Sequence, residues 1–145
     1  MGNRAVITNK PDNGKQWEEQ IGIYLHWNGG KDSVEAFLKY CKLRGFRSTN
    51  MDNYGWARLT QIIANFFGGD TSIGIDKCKY LDCDNYDNGV YFIKDWEIVG
   101  RKYFNGQEQS NYDLEEMLIS IDEAQPEQDR IGKSRIKEML VELKQ

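Results

Sequence analysis

The residues most able to do chemistry stand together at Asn28-Gly29-Gly30-Lys31-Asp32-Ser33. They end an alternating apolar run and open a helical one. A strand, two glycines and a helix start can present bare backbone N–H groups to a phosphate. A second set, Asp82, Asp84 and Asp87 with Asn88 and Gly89, offers oxygen ligands for a cation. A third is the single histidine, His26, with Cys41, Cys78 and Cys83, the raw material of a nucleophile–base pair. Each set also has a plainer use. The glycines suit a tight strand-to-helix turn, with Asp32 and Glu35 as a capping box. Asp87-Asn88-Gly89 suits a hairpin turn, and His26 suits a hydrogen-bonded place in an apolar strand.

The first set resembles the phosphate loop of the PP-loop ATP pyrophosphatases, whose pattern is SGGxDS. The resemblance implies an ATP-using enzyme on a doubly wound parallel sheet. Asn28 stands where that family has its first serine, and the elements after the loop do not alternate as such a sheet requires. A Walker A loop fails because Leu25 occupies its first glycine position. In the acidic set, an EF-hand register places Tyr86 where an oxygen ligand is needed. Cys78 and Cys83 have a C-x4-C spacing with no histidine nearby, which argues against zinc. No catalytic residue, metal or cofactor is therefore expected, and the chain reads as a binding protein rather than an enzyme.

Polar–aromatic clusters are the stronger signal for binding. They are His26-Trp27-Asn28, then Tyr54, Trp56 and Arg58 leading the second helix, then Tyr86 and Asn88, and finally Arg101. Aromatic faces stack on bases, amides read polar edges, and arginine pairs with phosphate. Loops gathered at one end of a sheet would make these nine residues a pocket for a nucleotide-like ligand. Core packing of Trp27 and Trp56 is the competing use.

The elements that must position them read as α+β. Strands are expected at 4–8, 21–27, 72–75, 79–81, 90–93 and 96–104, with a turn at 11–14. Helices are expected at 32–43, 52–67, 112–121 and 130–144. Val34, Phe37, Leu38 and Cys41 make one apolar stripe on the first helix, and Gly45 fits its C-terminal cap. The expectation is a small, mainly antiparallel sheet packed with two central helices and two C-terminal helices. It forms one domain over 1–145, with the helix beyond Pro126 peripheral and able to dock on its own chain or on another subunit.

The net charge of −4 and pI near 5.1 disfavour a duplex-DNA partner. No apolar run reaches the roughly 18 residues of a membrane span. Three cysteines without an apolar leader predict reduced thiols and a cytoplasmic chain.

The stretch Ile23 to Gly30, with Asn53 to Arg58, resembles small proteins carried by phages and prophages of low-GC Gram-positive bacteria. In kind it is similar to anti-defence proteins. Two classes are implied. One is a sponge of the Thoeris anti-defence sort, which sequesters a cyclic nucleotide or ADP-ribose-type signal without cleaving it and assembles as a homo-oligomer. The other is a protein inhibitor of a CRISPR or other nuclease effector of the host, acting through an acidic face at Asp82, Asp84 and Asp87.

Overall fold

The structure, a computed structural model, describes residues 2–13 and 15–144, so Gly14 of the expected 11–14 turn lies outside the described residues. The fold is α+β, a five-stranded, mostly antiparallel sheet with four helices. The strands are β1 (Ala5–Asn9), β2 (Ile21–Leu25), β3 (Ile73–Lys77), β4 (Val90–Lys94) and β5 (Glu97–Lys102), in the order β3-β2-β1-β4-β5. Among the described residues only β1 and β4 run parallel. The helices are α1 (Lys31–Leu43), α2 (Asn53–Phe67), α3 (Leu114–Glu123) and α4 (Lys133–Leu143).

Period-two alternation explains the layers. Ala5, Ile7, Ile23, Leu25, Tyr91 and Ile93 face the helices and bury in one core with Phe37, Leu38, Leu59, Ile63, Leu118 and Ile121. Val6 and Val90 face the other way. There Cys78, Cys83, Trp17 and Phe92 cover them in a second, smaller cluster.

The α1 terminus follows its glycine signal. Gly45 takes φ +75°, its N–H donates to the Lys42 carbonyl at 3.0 Å, and the Phe46 N–H donates to the Cys41 carbonyl at 3.1 Å. That paired arrangement satisfies the last carbonyls of the helix. Asp52 caps α2 by accepting from the Tyr54 N–H at 3.0 Å.

Several expectations change. The segment expected as a strand at 79–81 is a 3-10 turn, Cys78–Tyr80, and Cys78 with the following Leu81 packs on the back of the sheet. Asp87-Asn88-Gly89 is not a hairpin turn, because β4 leaves it to run parallel to β1 and antiparallel to β5. The buried Asn85 builds this loop instead: its Oδ1 accepts from the Asp87 and Gly89 N–H groups and its Nδ2 donates to the Asp82 and Gly89 carbonyls. The β4–β5 hairpin turns at Asp95-Trp96, both at positive φ (52° and 67°), as a tight two-residue turn needs. Trp96 thus lies outside the strand expected to contain it. A left-handed tryptophan is strained, and burial plus a 2.9 Å indole N–H bond to the Phe46 carbonyl hold it there.

The C-terminal helix docks on its own chain through the fully buried Ile136. The buried Asp122 fixes the connection, accepting from the Tyr40 hydroxyl at 2.5 Å, the Ile131 N–H at 2.8 Å and the Gly132 N–H at 2.9 Å. Burial and this carboxylate push the Tyr40 pKa up.

Candidate functional site

The loop that resembled a phosphate loop is closed by the protein's own groups. Gly30, not Asp32, is the N-cap of α1, so Asp32 and Glu35 form no capping box. The Asp32 N–H donates to the Gln109 side-chain oxygen at 3.0 Å, and the Ser33 N–H donates to the Asp32 carboxylate at 2.8 Å. Two of the donors that would face a phosphate, the Asp32 and Ser33 N–H groups, already have acceptors, one of them anionic. Gly29 serves packing: a Cβ there would stand 2.5 Å from the Asn3 carbonyl oxygen. Its own carbonyl accepts from the Tyr91 hydroxyl at 2.7 Å. The sheet is not doubly wound, so the setting of such a loop is also missing.

The nine sequence-derived candidates fall into separate places. His26, Trp27, Asn28, Tyr86, Asn88 and Arg101 lie at the end of the sheet where β2 and β5 finish and β1, β3 and β4 begin. His26 Nδ1 bonds the Tyr24 hydroxyl at 2.8 Å, and Trp27, 41% exposed, meets the imidazole edge-on with centroids 4.9 Å apart. Asn28 takes φ +55° and donates to the Ser33 hydroxyl at 3.1 Å. Asn88 donates to the Asn3 side chain at 2.6 Å and the Arg4 carbonyl at 3.0 Å, which makes it a strut. Tyr86 points outward, 90% exposed.

Tyr54, Trp56 and Arg58 lie elsewhere, on α2. Tyr54 stacks under Arg47 and Arg58, at 5.1 and 5.7 Å. Trp56 lines an apolar groove of about 550 Å3 with Ile21, Ile23, Ala57, Ala64 and Ile75. The nine residues therefore do not form one pocket.

Arg101 leads to a cleft with charged and apolar lining. Its guanidinium lies 3.8 Å from the centroid of Tyr91 and 4.0 Å from that of Phe104, held between the two rings. It pairs with Glu108 and donates to the Asn88 carbonyl at 2.6 Å, while its buried Nε has no partner. Rings and acceptors together fix a planar cation in place.

The cleft, about 530 Å3, runs along β5 between α1 and the segment entering α3. Its rim carries Lys31, Glu35 and Lys39 of α1, Glu97 and Arg101 of β5, and Glu108. Leu38, Trp96, Ile98, Val99 and Leu114 supply apolar wall. Burial and the nearby Glu35 carboxylate raise the pKa of Tyr112. Three cations and three carboxylates thus alternate over an apolar floor.

Lys31, Glu35, Lys39 and Glu108 were not among the sequence candidates. The first three recur every four residues, a polar stripe visible on a helical repeat. Nothing local places Glu108 opposite them.

Among the described residues, no group of three or more His, Cys, Asp or Glu side chains is placed to hold a metal ion, and no helix is long and apolar enough to cross a membrane. No protein family, curated protein or solved structure matches the chain.

Proposed function

We propose that this protein binds a nucleotide-type small molecule, of the cyclic nucleotide or ADP-ribose kind, in the cleft between α1 and β5 and holds it without cleaving it. The observation that carries the reading is the cleft itself. Its 530 Å3 lies within the range of small-molecule sites, which run to roughly 300–1,000 Å3. Phosphate oxygens would meet Lys31, Lys39 and Arg101, ribose hydroxyls would donate to Glu35 or Glu108, and a base would lie on the apolar wall. The capped start of α1 supports binding over turnover, because the groups best suited to activate a phosphate are engaged by Gln109 and Asp32. In a phage setting, holding such a signal would be anti-defence by sequestration, as the sequence resemblance implies.

Isothermal titration against cyclic ADP-ribose isomers and cyclic oligonucleotides tests the reading. Saturable heat with the ligand recovered intact agrees with it. No heat at protein well above micromolar refutes it, and a recovered hydrolysis product refutes its non-enzymatic part.

The apolar groove at Trp56, Ile21 and Ile75 favours a second reading, docking on a partner protein such as a defence effector, or on another copy in a homo-oligomer. Exposed apolar surface beside an edge strand suits such contacts. The acidic face loses weight as its anchor, because Arg4 binds Asp87 at 2.8 Å and Asp82 at 3.3 Å. Trp56→Glu should abolish a protein complex and leave small-molecule binding unchanged, as read by size-exclusion chromatography with light scattering.

A further inference from the structure

The back of the sheet holds a pair of thiols that the cleft does not use. Cys78 opens the 3-10 turn after β3, and the Leu81 N–H bonds its carbonyl at 2.9 Å. The Cys83 N–H then bonds the Leu81 carbonyl at 2.9 Å, folding the segment back so that the Cys83 thiol lies 3.3 Å from the Cys78 carbonyl oxygen. The two side chains share one apolar cluster with Val6 and Val90. Gly22 of β2 leaves the space for this: a Cβ there would stand 2.9 Å from the Cys78 sulfur.

Cys78 and Cys83, 1% and 9% exposed, line a surface depression of about 280 Å3 with Trp17, Leu81 and Tyr103, beside Glu18, Lys79, Asp82 and Asp84. Two thiols five residues apart on one folded-back segment, in one apolar cluster and beside one opening larger than several waters, make an arrangement that oxidises within the chain.

We propose that Cys78 and Cys83 form an oxidisable dithiol site that a small peroxide converts to an intramolecular disulfide. The Cys78 thiolate attacks one peroxide oxygen. The S–O bond forms, the O–O bond breaks, and the leaving hydroxide takes a proton to become water. Cys83 then gives up its proton and attacks the Cys78 sulfur. The S–S bond forms, the S–O bond breaks, and a second water leaves. The two thiols lose two electrons and two protons in total, and the peroxide is reduced by the same amount.

Cys78 is the attacking sulfur. The neighbouring Cys83 side chain brings its pKa down, against burial and the nearby Glu18 carboxylate, whereas the same neighbour and burial push Cys83 up. Cys41 is fully buried in the helical core with its pKa raised by that burial, so it serves as the unreactive internal reference. The bond would close the base of the Asp82–Gly89 loop, which carries Asn85 and Asn88.

The experiment treats the full native protein with hydrogen peroxide at pH 7, blocks remaining thiols after unfolding, and maps tryptic peptides. Trypsin cuts at Lys77, Lys79 and Lys94, so the bond would join the dipeptide Cys78-Lys79 to the peptide from Tyr80 to Lys94. The expected result is that linked pair, with Cys41 recovered blocked and modified at least about tenfold more slowly. Oxidation of Met51, 67% exposed, shows that the dose sufficed. Cys78 and Cys83 both recovered blocked when Met51 is oxidised would overturn the proposal, as would sulfinic or sulfonic acid at either without the link. Cys83→Ser should stop at a sulfenic acid on Cys78 that a dimedone probe traps. Cys78→Ser should leave Cys83 blocked, and oxidation of Cys83 there at the wild-type rate would contradict the role given to Cys78.

Discussion

Replacing Asp122 by Ala tests how the C-terminal helix is held. The carboxylate is 3% exposed and accepts three hydrogen bonds, from the Tyr40 hydroxyl and the Ile131 and Gly132 N–H groups. Hydrogen bonds to a charged acceptor contribute about 1.5–3 kcal/mol each. Simple addition overstates the loss, because folding must also strip water from the carboxylate, an offset of several kcal/mol. The net expected loss is about 3–5 kcal/mol, the range for breaking a buried charged network by removing one partner. For a chain near this length, 1 kcal/mol moves Tm by about 2–4 °C, so a fall of roughly 6–20 °C follows. Urea unfolding with an unchanged slope should report the loss, and amide exchange should place it first in α4. Tyr40→Phe removes one donor and should cost about 1.5–3 kcal/mol. A loss below about 1 kcal/mol for Asp122→Ala would refute the view that this carboxylate anchors the helix.

Further outcomes follow from the same physics. Asn85→Ala strips four hydrogen bonds from the Asp82–Gly89 loop and should cost about 2–3 kcal/mol by urea unfolding. Gly29→Ala must displace the Asn3 backbone and should cost about 1–3 kcal/mol, which the same assay reads. Arg4 holds the Asp87 pKa below its ordinary 3.8, so that contribution is present above pH 3.8 and is lost as pH falls through the lower folded value. Arg4→Met should flatten the acid limb of a stability–pH curve in that window. Burial raises the pKa of Tyr40, Tyr91 and Tyr112 above their ordinary 10.0, so the folded state keeps protons that the unfolded chain gives up. Stability should therefore fall as pH rises past 10, followed by tyrosinate absorbance together with circular dichroism.

The fold was largely legible because its signals are local and periodic. Alternation in Ile21–Leu25, the apolar stripe of α1 and the glycine after it each report their own element. The misreadings came from residues whose role is set at a distance. Asp-Asn-Gly is strong hairpin chemistry, yet Asn85 and Arg4 claim it for a loop against β1. Asp95-Trp96 carries no glycine, and a core that buries the indole makes the turn there. Asp32 looks like a cap until Gln109, far along the chain, takes the helix start. The cleft was half legible: Arg101 stood out by type, and the lysine stripe of α1 was readable by spacing. Their meeting depends on β5 lying beside α1, which no local pattern states.

The central claim is that the α1–β5 cleft takes a nucleotide-type ligand. Its most direct test is titration calorimetry of the wild type and Lys39→Ala with the same cyclic nucleotide panel. Lys39 lines the cleft outside the stacked Arg101 cluster, so its loss should spare the fold. The account predicts saturable binding by the wild type and an affinity at least about tenfold weaker in the variant, about 1.4 kcal/mol, at unchanged Tm. Equal affinity in both proteins, or no heat with either, would contradict it.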